Sequence, residues 1–248
     1  MKSAIIIPAR LASTRLPRKL LLSETGKSLL EHTYQAASKS NKASSVIVAA
    51  DDPEIVRVVE SFGGKVVMTD PNHASGTDRV AEVAANMTDV DIIINVQGDE
   101  PEISADAIDL AIQILEDNDA PMSTLATPIR TRQLLESKSC VKVVVGNDGQ
   151  AIYFSRSPIP CPRDWNDDLL TSDPPAFLQH VGLYGYKRDF LAKITTLRVP
   201  LIEQVESLEQ LRILSGGFDI LVGMIDHPIT GIDTPEDYAA FVNRATNR

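Results

Sequence analysis

The chain has 248 residues, 43% hydrophobic and 23% charged, with 24 basic against 34 acidic side chains and a formal net charge of -10. This is the composition of a globular chain with a sizeable core, neither disordered nor disulfide-rich. The acidic balance excludes a general nucleic-acid binder or a polybasic membrane protein, because phosphate backbones demand an excess of Lys and Arg.

No apolar run approaches the roughly 20 residues that span a bilayer. Cys140 and Cys161 form no C-x-x-C pair, which points to a reducing compartment. Residues 1–23 carry Lys2, Arg10, Arg15, Arg18 and Lys19 and no acid, the composition of a transit peptide. The apolar run Ala4-Ile5-Ile6-Ile7, however, is β-branched and ends at Pro8, as a first strand does. A mature, cytoplasmic chain is the expectation.

In chain order, residues 3–8 read as a strand, 28–40 as a helix and 45–50 as a strand. Then come a helix over 53–62 with proline in its first turn, a short strand over 65–68 and a helix over 77–87. Residues 91–97 form the strongest strand pattern, and 104–117 a helix. Unbroken Ile/Val runs mark strands buried on both faces, and their alternation with helices predicts right-handed crossovers in a mostly parallel, doubly wound α/β sheet. In the second half, 141–145 and 151–155 flank the turn Gly146-Asn147-Asp148-Gly149 as a hairpin, a small β-containing subdomain. Residues 158–175 hold five prolines and Trp165 and read as a long loop, functional or mobile. A strand over 179–186, helical stretches to about Leu214, a strand over 220–224 and a helix from Pro235 complete the chain.

The segment Pro8-Ala9-Arg10-Leu11-Ala12-Ser13-Thr14-Arg15-Leu16-Pro17-Arg18-Lys19 follows the first strand, so it lies at the carboxyl edge of the sheet, where open α/β folds bind ligands. Five cations and no anion in the first 23 residues, four of the cations in this segment, suit a polyanion such as a nucleoside triphosphate, with Ser13 and Thr14 as added donors. A G-x-G-x-x-G fingerprint is absent. Gly26-Lys27-Ser28 lacks the P-loop's first glycine, since Leu21 stands there, and reads as a turn with a helix cap.

In Asn95-Val96-Gln97-Gly98-Asp99-Glu100-Pro101 a buried strand ends at the same edge with a glycine and emerging acids. A carboxylate facing a triphosphate loop suits Mg²⁺, which takes one or two carboxylates and keeps its phosphates and waters. The competing role for Asp99 is a turn or helix cap, for which Ser104 is better placed. In Gly231-Ile232-Asp233-Thr234-Pro235-Glu236-Asp237 the cap is supplied by Thr234 with Asp237, so Asp233 is left over as a second metal ligand or a surface aspartate. Arg156, His180, Glu209 and Gln210 are polar residues amid apolar segments, each with a plain structural explanation as well. Zinc and serine hydrolysis lack their motifs.

These segments resemble, along nearly the whole chain, the 3-deoxy-manno-octulosonate cytidylyltransferases (CMP-Kdo synthetases). The likeness also runs through His73-x-Ser75-Gly76-Thr77-Asp78-Arg79, Tyr153-Phe154-Ser155-Arg156, Gly182-x-Tyr184-Gly185-Tyr186 and Leu208-Glu209-Gln210-Leu211-Arg212. It departs from the family pattern at Arg18, where glycine is common, and at Leu20, where proline is common. The resemblance implies a homodimeric enzyme of the nucleotide-diphospho-sugar transferase (GT-A-like) fold, a single domain over residues 1–248. Its nucleotide-binding part would be roughly 1–130, and its sugar-binding and dimerisation part 131–248. The implied reaction joins CTP and the eight-carbon acid Kdo into CMP-Kdo and pyrophosphate, for lipopolysaccharide assembly.

By the same resemblance, Arg10, Arg15 and Lys19 hold the triphosphate. Ala9, Ser13, Ser75, Gly76, Thr77 and Arg79 complete the nucleotide site, and Asp99 and Asp233 hold Mg²⁺. Gln97, Arg156, His180, Tyr184, Glu209 and Gln210 bind the sugar acid. Asp99, Asp233, Lys19 and Arg15 are the implied catalytic set. Alternatives are an 8-amino-Kdo or sialic-acid cytidylyltransferase, a UTP- or GTP-dependent nucleotidyltransferase, and a catalytically silent nucleotide-binding module. Thr14-Arg15 favours Kdo over the sialic-acid type, whose first loop usually carries a lysine directly after the serine.

Overall fold

The computed structural model describes every residue except Thr14 and Arg248, so the expectation for the Thr14 hydroxyl lies outside the described residues. The first half runs β1 (Ser3–Ala9), α1 (Leu29–Ala37), β2 (Ala43–Ala50), α2 (Pro53–Ser61), β3 (Val66–Met68), α3 (Gly76–Ala85), β4 (Ile92–Asn95) and α4 (Ala105–Asp117). The second runs β5 (Met122–Pro128), α5 (Arg132–Glu136), β6 (Lys142–Val145), β7 (Ala151–Ser155), β8 (Leu178–Lys187), α6 (Arg188–Ile194), α7 (Leu201–Glu206), α8 (Gln210–Ser215), β9 (Ile220–Met224) and α9 (Pro235–Thr246).

The main sheet has the order β3-β2-β1-β4-β8-β5-β9. The pairs β2–β3, β1–β2, β1–β4 and β5–β9 are parallel, and β8 alone runs against both neighbours, β4 and β5. The mostly parallel sheet expected from the sequence is therefore present. Every residue of β1 is buried, and alternate side chains serve opposite layers. Ile5 and Ile7 pack with Leu30, Ile55, Val59 and Ile108 on one face, while Ala4 and Ile6 pack with Val80, Phe190 and Leu211 on the other. Both faces being covered is why these runs do not alternate. The hairpin β6–β7 joins the sheet through β6, with Lys142 opposite Gln179 and Val143 opposite Leu178, so it extends the same sheet.

The cap chemistry falls where the residues predict. Ser28 accepts from the Glu31 N–H at 3.1 Å, and Ser75–Asp78 and Thr234–Asp237 form complete capping boxes. Ser104 occupies the N-cap of α4 without a side-chain bond. Strand β5, among Ser, Thr and Pro residues, carries no apolar signature, yet it lies inside the sheet. The hydroxyls of Ser123 and Thr124 are buried and satisfied: Ser123 Oγ donates to Ala111 O at 2.8 Å and Thr124 Oγ1 lies 2.9 Å from Leu183 O. Gly185 makes the close approach possible, because a Cβ there would overlap the Ser123 hydroxyl.

Candidate active site

In the order 3-2-1-4 the connections leave β1 in opposite directions, so the crevice beyond the carboxyl ends of β1 and β4 is a topological switch point. The two loops named from the sequence, 10–19 after β1 and 96–101 after β4, leave the sheet there side by side. Gly98 permits their packing: a Cβ would come within 3.1 Å of Pro8 O. The segment before α9 closes the crevice by a bond from Ile232 N–H to Asp99 O at 2.9 Å. That bond sets Asp233 beside Asp99, although they are far apart in sequence.

The two carboxylates converge on one cation. Lys19 Nζ donates to Asp99 Oδ2 at 2.5 Å, to Asp233 Oδ1 at 2.9 Å and to Ile232 O at 2.8 Å. Arg15 Nη2 lies 3.0 Å from Asp233 Oδ2. Burial pushes the Lys19 pKa down, but Asp99 and then Asp233 outweigh it, so the ammonium is held above its ordinary value. The donor set fits Mg²⁺ on one observation: both carboxylates already aim at a single positive point, and two such arms suffice for an ion that keeps substrate phosphates and waters. Among the described residues there is no group of three or more His, Cys, Asp or Glu side chains suited to an all-protein metal site.

A cavity of about 340 Å³ lies over this pair, lined by Arg10, Ser13, Arg15, Lys19, Gly98, Asp99 and Asp233, among others. Arg10 is braced by a bond to His73 O at 3.1 Å. A second cavity, of about 290 Å³, adjoins it through two shared lining residues, Gly76 and Gln97. Tyr184, Glu209 and Gln210 line the second cavity, as do Ser75 and Thr77. Thr77 Oγ1 donates to Glu209 Oε2 at 2.7 Å across the cavity, and Tyr184 OH lies 3.4 Å from Gln210 Oε1.

The nucleotide group is thus divided: Ser75 and Thr77 face the second cavity, where the sugar-acid residues were expected. Four residues named from the sequence line neither cavity. Ala9 is buried at the end of β1. Arg79 is wholly buried, donating to Thr69 Oγ1 and to Asp70 O at 3.2 Å, 3.9 Å from Asp51, under the 69–73 loop. His180 sits behind Tyr184, Nε2 3.0 Å from Thr124 Oγ1, and burial pushes its pKa down to about 3. Arg156 spends its guanidinium on carbonyls of Glu206, Lys138 and Ser207.

The sequence reading missed Asn95, Tyr186 and Arg212 in the second cavity. Asn95 had a signal, a polar residue ending an Ile run. Arg212 stood in the motif Leu208-Glu209-Gln210-Leu211-Arg212 without a role: it is oriented by bonds to Glu203 at 2.8 and 2.5 Å, a pairing made only when α8 packs on α7. Glu100, one of the two acids that end the β4 segment, does not emerge with Asp99. It is buried beside Asp99, and burial, then the Asp99 charge, lifts its pKa to about 8.

A cationic cradle, a carboxylate pair and an adjoining polar cavity at the switch point define a nucleotidyltransferase. Comparison with known proteins agrees. The family described as cytidylyltransferase matches residues 4–220. The 3-deoxy-manno-octulosonate cytidylyltransferase of Rhodopirellula baltica is 49% identical over 98% of both chains, and that of Geotalea uraniireducens 46% over 98% of this chain and 99% of its own. A solved CMP:2-keto-3-deoxy-manno-octonic acid synthetase complexed with CTP superposes with a TM-score of 0.92 at 39% identity, covering 100% of this chain and 99% of that one. A cytidylyltransferase from Leptospira borgpetersenii, at 17% identity and a TM-score of 0.64, covering 100% of this chain and 88% of that one, shares the fold. The chain belongs to the 3-deoxy-manno-octulosonate cytidylyltransferase family.

Proposed function

We propose that this chain transfers CMP from CTP to the anomeric hydroxyl of Kdo, releasing pyrophosphate, and that the product serves lipopolysaccharide assembly. The observation that carries the reading is the meeting of Lys19, Asp99 and Asp233 where a cationic cavity adjoins a polar one through Gly76 and Gln97. The first cavity takes the triphosphate and the second the sugar acid.

Chemistry proceeds by in-line attack. The anomeric hydroxyl gives up its proton to solvent water, its oxygen forms a bond to the α-phosphorus, the bond to the bridging oxygen breaks, and pyrophosphate leaves with that electron pair. Arg10, Arg15 and Lys19 hold the phosphates and stabilise the charge that grows on the departing pyrophosphate. Asp99 and Asp233 would hold Mg²⁺, which when bound lowers the pKa of the attacking hydroxyl and offsets phosphate charge. Tyr184, Glu209, Gln210 and Gln97 orient the sugar acid. Burial, then Glu209 and Glu100, holds the Tyr184 hydroxyl protonated, so it acts as a hydrogen-bond donor.

A cytoplasmic homodimer completes the proposal. Support for the setting is that both cysteines are free thiols and that, among the described residues, no helix is long and apolar enough to cross a membrane. Support for a dimer is the apolar side of α7, where Leu201 and Val205, one helical turn apart, are 73% and 74% exposed in the single chain.

With Mg²⁺, each nucleoside triphosphate and a panel of eight- and nine-carbon keto acids, CMP-Kdo should be the main product by mass. A different nucleotide product, or none, overturns the reading. Asp99→Asn should keep the fold and lose roughly 100-fold or more in pyrophosphate release; near-normal release removes Asp99 from the metal site.

A further inference from the structure

Lys142 opens β6 with none of its surface exposed. Its Nζ donates to three backbone carbonyls, Ser137 O at 3.0 Å, Cys140 O at 2.7 Å and Arg156 O at 2.5 Å. An ammonium has three N–H donors, so each is used. Burying this charge is costly, and burial lowers the Lys142 pKa.

The same 137–140 turn is held by a second cation. Arg156 Nη1 donates to Lys138 O at 3.0 Å, while its Nε and Nη2 reach Glu206 O at 2.6 Å and Ser207 O at 3.3 Å. Glu206 answers with its carboxylate, accepting from Ser155 Oγ at 2.6 Å and from the Arg156 N–H at 2.9 Å. Ser207 stands in the left-handed region at φ 52°, an uncommon conformation for a residue with a Cβ. Directly after it, Glu209 and Gln210 enter the second cavity.

We propose that Lys142 is a positioning residue for the sugar-acid half of the reaction. It fixes the 137–140 turn and the Arg156 backbone, and through the Arg156 guanidinium it fixes the Ser207 corner that aims Glu209 and Gln210. This rests on the reading that the second cavity takes the sugar acid. The triphosphate cradle touches none of these groups, so the effect is confined to one substrate.

The test is steady-state kinetics of Lys142→Met, which keeps the apolar stem and removes the donors. Lys142→Gln, with two N–H donors, and Ser155→Ala, which deletes one hydroxyl from the same cluster, provide milder variants. CTP titration of each protein checks that it is folded. The KM for Kdo should rise on the order of tenfold or more in Lys142→Met, less in Lys142→Gln and in Ser155→Ala. The KM and binding constant for CTP should stay within about twofold. Unchanged KM values, or equal rises for both substrates, in any variant that binds CTP overturn the proposal. If Lys142→Met does not fold, the two milder variants decide it on the same criterion. A wild-type enzyme that binds CTP but does not turn over Kdo would instead sink the sugar reading.

Discussion

Arg18 has φ 57° and ψ 28°, the left-handed conformation for which glycine is favoured. Its guanidinium contacts Glu54 at the start of α2, an exposed pair of small energetic weight. Arg18→Ala keeps the backbone strain and loses the pair, whereas Arg18→Gly removes the strain. The glycine variant should therefore be the more stable of the two by about 1 kcal/mol, or roughly 2–4 °C in Tm. Equal melting temperatures would contradict a strained loop. At His180 the issue is protonation. Its folded pKa near 3 lies below the unfolded value of 6.5, so its stabilising contribution is full above pH 6.5 and is lost as pH falls toward 3. Between pH 8 and pH 5 the wild type should lose about 2 kcal/mol more than His180→Gln, read from denaturant midpoints at each pH. Parallel pH profiles would refute a buried neutral histidine.

The loop over 158–175 reads from its prolines as functional or mobile, but the structure ties it down. Trp165 stacks on Phe177 at a centroid distance of 6.0 Å, with the Arg132 guanidinium carbon 4.9 Å above the indole. Arg130 donates to Leu170 O and Ser172 O at 3.2 and 2.9 Å. Ile129, Leu135, Cys140 and Phe177 form a small core beneath. Such a segment opens by losing this satellite cluster as a unit. Trp165→Ala should speed proteolytic nicking within the loop roughly tenfold and leave the KM for CTP unchanged; protection equal to wild type would show that the indole is dispensable. Strand β5 shows the opposite failure of local reading. Its polarity hides a central strand because the partners of its hydroxyls, Ala111 O and Leu183 O, come from elements distant in sequence.

At the scale of the whole molecule, charge and assembly matter most. A chain of net charge -10 repels phosphate anions at long range, so the local cluster Arg10, Arg15 and Lys19 must supply the attraction at the crevice. Self-association would cover the apolar side of α7. Val205→Glu should shift the protein toward monomer in sedimentation velocity, with secondary structure intact by circular dichroism. An unchanged sedimentation coefficient would move the interface elsewhere.

Much of this was legible along the chain. Ile/Val runs, capping boxes and a proline at a first turn act over a few residues, so they placed β1, β2, β4 and α9 and, through them, the loops at the sheet edge. The charge of the phosphate loop and the spare aspartate before Thr234 were legible for the same reason. Distance-dependent facts were not. That Asp99 and Asp233 share one ammonium depends on the bond between Ile232 and Asp99, and that Arg79, His180 and Arg156 turn away from the cavities depends on which carbonyls and hydroxyls surround them. Residue types and local spacing determine what a segment can do, while hydrogen bonds and packing between remote segments decide which side chains meet, because those energies exist only once the chain has closed upon itself.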